Sequence, residues 1–208
     1  RKSLYDAFVQ AEGPDGYRLK HTMLNESQMA EYGAKVSPGM AVYGCEGYFM
    51  FKNRSLKSDC ITDASYFQGF QYTDRRIMRY AEVLLLAAEA NLQDGQPGKA
   101  LYDINQIRER AKETPLQSVT LDDIKTEKRL ELCLESVRYQ DLVRWGDAEA
   151  ALGTQGKQIP NFSSKGVTWD YTNSSYGFQN KHKLLPIPLK EIELNPNIKQ
   201  NDGWAISQ

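Results

Sequence analysis

At 208 residues, with 40% hydrophobic and 25% charged side chains, the chain is long enough for one large domain or two small ones around a real core. A formal net charge of −1 excludes a basic field that would draw nucleic acid or an anionic membrane. The longest apolar run, 83 to 88, is far too short to span a bilayer, and three widely spaced cysteines form neither a disulfide framework nor a zinc pattern.

Residues 1 to 74 read as irregular, loop-rich chain with some β character. The stretch 23 to 33 suggests a short helix ending at Gly33, "KVSPGM" at 35 to 40 is a turn, and "GYFMFKN" at 47 to 53 is a strand bounded by Gly and Asn. The chain starts at Arg1 with no methionine and no signal peptide, as a mature product or a fragment would. A Cys45–Cys60 bridge in an oxidising compartment is left open, and Cys133, among leucines, reads as a small core residue.

From Arg75 the hydrophobic period becomes helical. The segment 75 to 95 is rich in Ala and Leu, with Gly95 where a C-terminal cap belongs and Pro97 at the first position of a second helix. That second helix, about 97 to 112, turns Ala100, Leu101, Ile104, Ile107, Arg108 and Ala111 to one side. Thr114-Pro115 stops it. The linker is short enough to enforce an antiparallel hairpin. Ala88 and Ala100, twelve apart, give it a tetratricopeptide character, without a clean second copy at a period of 34.

A third helix is predicted from Thr120 to about Trp145, opened by a capping box with Asp123 in place of the usual Glu. Gly146 breaks it, and one more helical turn follows at 147 to 152. The polar stretch 153 to 183, with scattered aromatics, is a functional loop or a β excursion. An extended "LLPIP", a proline-started helical turn to Leu194 and an Asn195-Pro196 turn close the chain.

The third helix carries the charges that decide between catalysis and architecture. Glu131, Glu135, Arg138, Asp141 and Arg144 are threaded among residues that are apolar nearly all round, the mark of a buried helix. Buried charges must be paired. The spacings Glu135–Arg138 and Asp141–Arg144, each of i, i+3, read these residues as structural ion pairs rather than acid–base catalysts, with no histidine nearby. His21 and His182 form no ligand pair, so no metal site is expected, and no nucleophile-elbow, phosphate-loop or dinucleotide motif occurs. No catalytic residue and no cofactor are therefore predicted. Trp169, Tyr171 and Tyr176 in the long loop are candidates for ligand contact, with core packing as the alternative.

Three stretches in series resemble one family. "RIMRYAEVLLLAAEANLQDGQPGKALYDINQIRERA" is similar to the helical hairpin of SusD/RagB-type nutrient-binding lipoproteins. "EKRLELCLESVRYQDLVRWG" resembles that family's R-x-E-L-x-x-E-x-x-R-x-x-D-L-x-R-W-G helix. "LLPIPLKEIELNPNIKQNDGW" resembles its closing segment, with Leu185 to Pro188, Glu191, Ile192, Asn195, Pro196, Gln200, Asn201, Gly203 and Trp204 in the matching places. The resemblance covers about 70 to 204 well and the rest loosely. It implies a mostly α fold, a tetratricopeptide-type hairpin layer with long irregular loops and a little β. It marks 75 to 208 as the family's C-terminal helical region, joined with 1 to 74 in one domain of a longer chain. It further implies an outer-membrane, cell-surface lipoprotein, lipid-anchored through an N-terminal part outside this chain. Such a protein binds an oligosaccharide, or a peptide in RagB-like relatives, and delivers it to a SusC-like TonB-dependent transporter without catalysis. A helical-repeat scaffold for a protein partner is the competing reading.

Overall fold

The computed structural model describes residues 2–54, 74, 76–171 and 177–205, and the chain divides into two compact units. The first comprises Arg1–Arg138 with Pro160–Thr168, and the second Tyr139–Ile159 with Trp169–Gln208. Helix dominates both, with little sheet.

The first unit opens with helix α1 (Lys2–Glu12) and helix α2 (Tyr17–Thr22), where the sequence reads as irregular. The signal in α1 is Leu4, Tyr5, Phe8 and Val9, one-turn neighbours that gather round a fully buried Phe8. Strand β1 (Met23–Asn25) follows. Asn25 then caps helix α3 (Glu26–Ala30), its side chain accepting from the Gln28 amide at 2.9 Å while Gln28 answers the Asn25 amide at 2.9 Å. Strand β2 (Ala41–Tyr43) precedes strand β3 (Tyr48–Met50), which falls in the aromatic run and pairs antiparallel with β1, Leu24 opposite Phe49.

Helix α4 (Tyr80–Gln93) and helix α5 (Pro97–Arg110) form the expected hairpin. Gly95, at φ +71°, makes the left-handed residue that ends α4. The helix begins at Tyr80, five residues later than the composition suggests, because Arg79 is held extended at φ −136° and its guanidinium reaches the carbonyl of Glu131. Ala88 and Ala100 are both fully buried, the small pair that lets the two helices approach.

The third predicted helix is two. Helix α6 (Leu121–Glu131) opens with the capping box, the Asp123 amide donating to Thr120 Oγ1 at 3.2 Å and the Thr120 amide to Asp123 Oδ2 at 2.8 Å. Helix α7 (Arg138–Trp145) resumes only after a break in which Leu134 and Ser136 take left-handed φ of 64° and 67°. The cause is competition for carbonyls. Lys52 Nζ and Arg79 Nη2 each donate to the Glu131 carbonyl at 2.7 Å, and Asn53 Nδ2 to that of Leu134 at 3.4 Å. Cations at the negative end of α6 replace the next helical turn. The apolar circumference is thereby interrupted, and Leu134 and Tyr139 are exposed.

Within this unit α6 stands between two apolar clusters. Ile124 joins Leu84, Leu85, Ala88, Ala100, Ile104 and Ile107 of the hairpin, while Leu130 and Cys133 join Phe8, Leu19 and Met23. Each large side chain so buried contributes about 1.5–3 kcal/mol. Strand β4 (Gln158–Ser163) is the middle of a three-stranded sheet between β2 and strand β5 (Gly166–Tyr171), so the long polar stretch contains a β excursion. Cys45 carries a free thiol; Cys60 lies outside the described residues.

The second unit contains most of α7, helix α8 (Ala148–Leu152), a 3-10 turn at Asn180–Lys183 and helix α9 (Leu189–Leu194). Its closing segment folds back on itself. Gln200 clasps Ile187 from both sides, accepting from the amide at 2.8 Å and donating to the carbonyl at 2.9 Å. Asn201 Nδ2 donates to the Leu185 carbonyl at 2.7 Å and Trp204 Nε1 to that of Leu184 at 3.1 Å. The sequence motif is thus a loop closed by its own side chains.

Candidate functional site

Two features of the chain concentrate chemistry, a buried charge network in the first unit and an exposed aromatic strand end in the second. The network is centred on Glu131, whose side chain is 2% exposed. Its Oε1 faces Arg79 and Arg110 at 2.7 Å each, and its Oε2 accepts from Arg110 at 2.8 Å and Arg18 at 3.4 Å. Arg18 in turn holds Glu12 at 2.6 Å and pairs with Glu127, which also takes Arg108 at 2.9 Å. Glu135 takes Arg79 at 2.6 Å and pairs with Lys52. Contributions from α1, α2, the turn after β3, the residue before α4, and α5 and α6 all meet here.

The electrostatics follow. Burial alone would lower the Arg18 guanidinium, but Glu127 and Glu12 outweigh it and hold Arg18 above the ordinary arginine range. Burial likewise opposes Arg79, and its bonds to Glu135 and Glu131 win. For Glu135 burial works upward, but the hydrogen bonds and charges of Arg79 and Lys52 take its carboxyl below the ordinary range. An acid catalyst needs the opposite shift, a carboxyl raised enough to carry a proton near neutrality. Two carboxylates clamped by guanidinium groups bind helices together.

Glu131 and Glu135 are brought together through their shared Arg79. Arg138 stands half-buried at the first position of α7. In the second unit Asp141, 4% exposed, accepts from Arg144 Nε at 3.0 Å and faces its Nη2 at 2.9 Å, while the same guanidinium lies over the Trp145 ring at 4.7 Å. Sequence reasoning missed Arg18, Arg79, Glu12 and Glu127. Nothing local marks Arg18, a residue of a six-residue helix, as the partner of side chains more than a hundred positions away.

Trp169 and Tyr171 alternate onto one face of β5 and are 43% and 73% exposed. Tyr176 lies outside the described residues. Among the described residues no cluster of His, Cys, Asp or Glu suits a metal ion, and no helix is long and apolar enough to cross a membrane. A cavity of about 190 Å³ adjoins the charge network, lined by Tyr17, Arg18, His21, Thr22, Lys52, Arg79, Arg110, Leu130 and Glu131.

A mostly helical fold with a small-residue hairpin, a clamped glutamate helix and a self-clasped tail defines a recognisable class. The SusD family model matches residues 9–204, and the chain belongs to the SusD family. It is similar to the starch-binding protein SusD of Bacteroides thetaiotaomicron, 33% identical over 139 residues, which are 64% of this chain and 22% of that protein. The SusD-like protein P38 of Formosa agariphila is 44% identical over 139 residues, 60% of this chain and 24% of that one. Among solved structures, a laminarin-binding SusD-like protein superposes with a TM-score of 0.69 at 28% identity, covering 98% of this chain and 38% of that one. A SusD-like carbohydrate-binding protein of Bacteroides fragilis shares the fold, with a TM-score of 0.65 at 21% identity over 95% of this chain and 47% of that one. The chain spans roughly a quarter of the length of the curated relatives it matches.

Proposed function

We propose that the chain is part of a cell-surface nutrient-binding protein that captures an oligosaccharide and passes it, unchanged, to a SusC-like TonB-dependent outer-membrane transporter. Its membership of the SusD family across residues 9–204 carries this reading. The relatives named for starch and laminarin point to a glycan as the ligand. Trp169 and Tyr171 supply what a sugar ring needs, flat apolar faces open to solvent with polar edges beside them. The clamped carboxylates fit binding without turnover, since Glu131 and Glu135 are both held by guanidinium groups. A lipid anchor, which this reading assigns to sequence outside this chain, would hold the protein at the outer surface.

The test is calorimetric titration of the full-length gene product with starch- and laminarin-derived oligosaccharides, followed by analysis of the recovered sugar. Saturable binding with the oligosaccharide intact supports the proposal. Shortened products, or saturation only by peptides, contradict it. Co-purification of a large β-barrel from outer membranes tests the transporter partnership separately.

A further inference from the structure

Helix α4 is apolar on two opposite sides, and among the described residues only one of them is covered. Glu82 and Glu89 are its only charged residues. Leu84, Leu85 and Ala88 face the cluster shared with α5 and α6 and are buried there. Tyr80, Val83, Leu86 and Ala90, spaced by three and four, run down the other side. The three large ones are 69%, 45% and 39% exposed, and Ile77 and Met78, just before the helix, are exposed as well. A helix on a finished surface turns charge outward, whereas a helix apolar all round is a buried one. The outward side of α5 shows the contrast within the same hairpin, with Lys99, Glu109 and Arg110 exposed.

We infer that this uncovered side of α4 seats a helical hairpin contributed by the same polypeptide outside residues 1–208. The laminarin-binding structure that matches 98% of this chain is only 38% covered by it, so well over half of that protein lies beyond the match. Stacked hairpins account for the asymmetry between α4 and α5. A hairpin inside a stack buries its outer faces on its neighbours, whereas an end hairpin keeps a polar one. Helix α5 meets solvent with charge, so the stack grows from the α4 side. Val83 and Leu86 have nothing to donate to or accept from a sugar hydroxyl, so an oligosaccharide is a poor occupant of the stripe. Aliphatic faces of this kind belong to permanent interfaces, which resemble a core cut in half. The aromatic strand and the glycan reading play no part in this inference.

The experiment puts the photo-crosslinking residue p-benzoylphenylalanine in place of Tyr80 in the full-length gene product, isolated as a monomer. The same residue in place of Tyr102, exposed on the charged side of α5, is the control. Irradiation should join the Tyr80 position to a peptide from outside residues 1–208, identified by mass spectrometry, and should leave the Tyr102 position uncrosslinked. Leu86→Cys gives a second reading without an aromatic probe. Its thiol should react with a maleimide about tenfold more slowly than that of Tyr102→Cys. A crosslink from the Tyr80 position to a peptide within residues 1–208 would mean that this chain covers its own helix, and one to a second copy would mean a dimer face. Either result overturns the inference, as does no crosslink there together with equal labelling of the two cysteine variants.

Discussion

Glu131 places one buried carboxylate among three guanidinium groups, and removing its charge takes a partner from each of them. Glu131→Gln should therefore lower unfolding free energy by about 3–5 kcal/mol in denaturant melts. Arg110→Ala, whose side chain is 57% exposed, should cost less than about 1 kcal/mol in the same melts. Glu135 adds a pH dependence. Its folded carboxyl lies below the ordinary value despite burial, because Arg79 and Lys52 hold the charged form. The stability it contributes is present above the unfolded value and is lost as pH falls through the folded one. Melting temperatures should fall increasingly steeply below about pH 4.3, and Glu135→Gln should flatten that limb. Cys133 reports the other side of burial, its thiol pushed up to about 11. It should resist alkylation at about pH 8 in the native protein and react only on unfolding.

At the scale of elements, local signals were legible and competition between distant groups was not. The capping box, the Gly95 turn, Pro97 at the start of α5 and the strand at Tyr48–Met50 all rest on neighbours in sequence. The break between α6 and α7 does not, because it exists to leave the Glu131 carbonyl to Lys52 and Arg79, both remote along the chain. Helices α1 and α2 were obscured by their shortness and by glycine and tyrosine around them. Thr120→Ala should cost about 1 kcal/mol by removing the cap of α6, measurable by thermal melts. Gly203→Ala should loosen the tail more severely. Gly203 sits at φ +81°, and a Cβ there would lie 2.8 Å from Lys181 Cβ, beside the ring that Trp204 presents to Lys181.

For the molecule as a whole, the resemblance of three motif stretches was enough to expect the family, and helix periodicity was enough to expect helices from Arg75 onward. The charged helix was legible as a place where ions must be paired. The Asp141–Arg144 pair was legible from its spacing; the partners Arg18, Lys52, Arg79 and Arg110 of Glu131 and Glu135 were not, because they come from remote parts of the chain. For the aromatics of the long polar stretch the sequence left ligand contact and core packing open; Trp169 and Tyr171 are solvent-facing on β5. In the proposed function, charges clamp the scaffold and the faces of Trp169 and Tyr171 are assigned to the ligand. Calorimetric titration of the full-length Trp169→Ala/Tyr171→Ala variant with the oligosaccharide that saturates the parent protein tests that separation most directly. The account predicts an affinity loss of about thirtyfold or more with an unchanged melting temperature; undiminished affinity in a folded variant would contradict it.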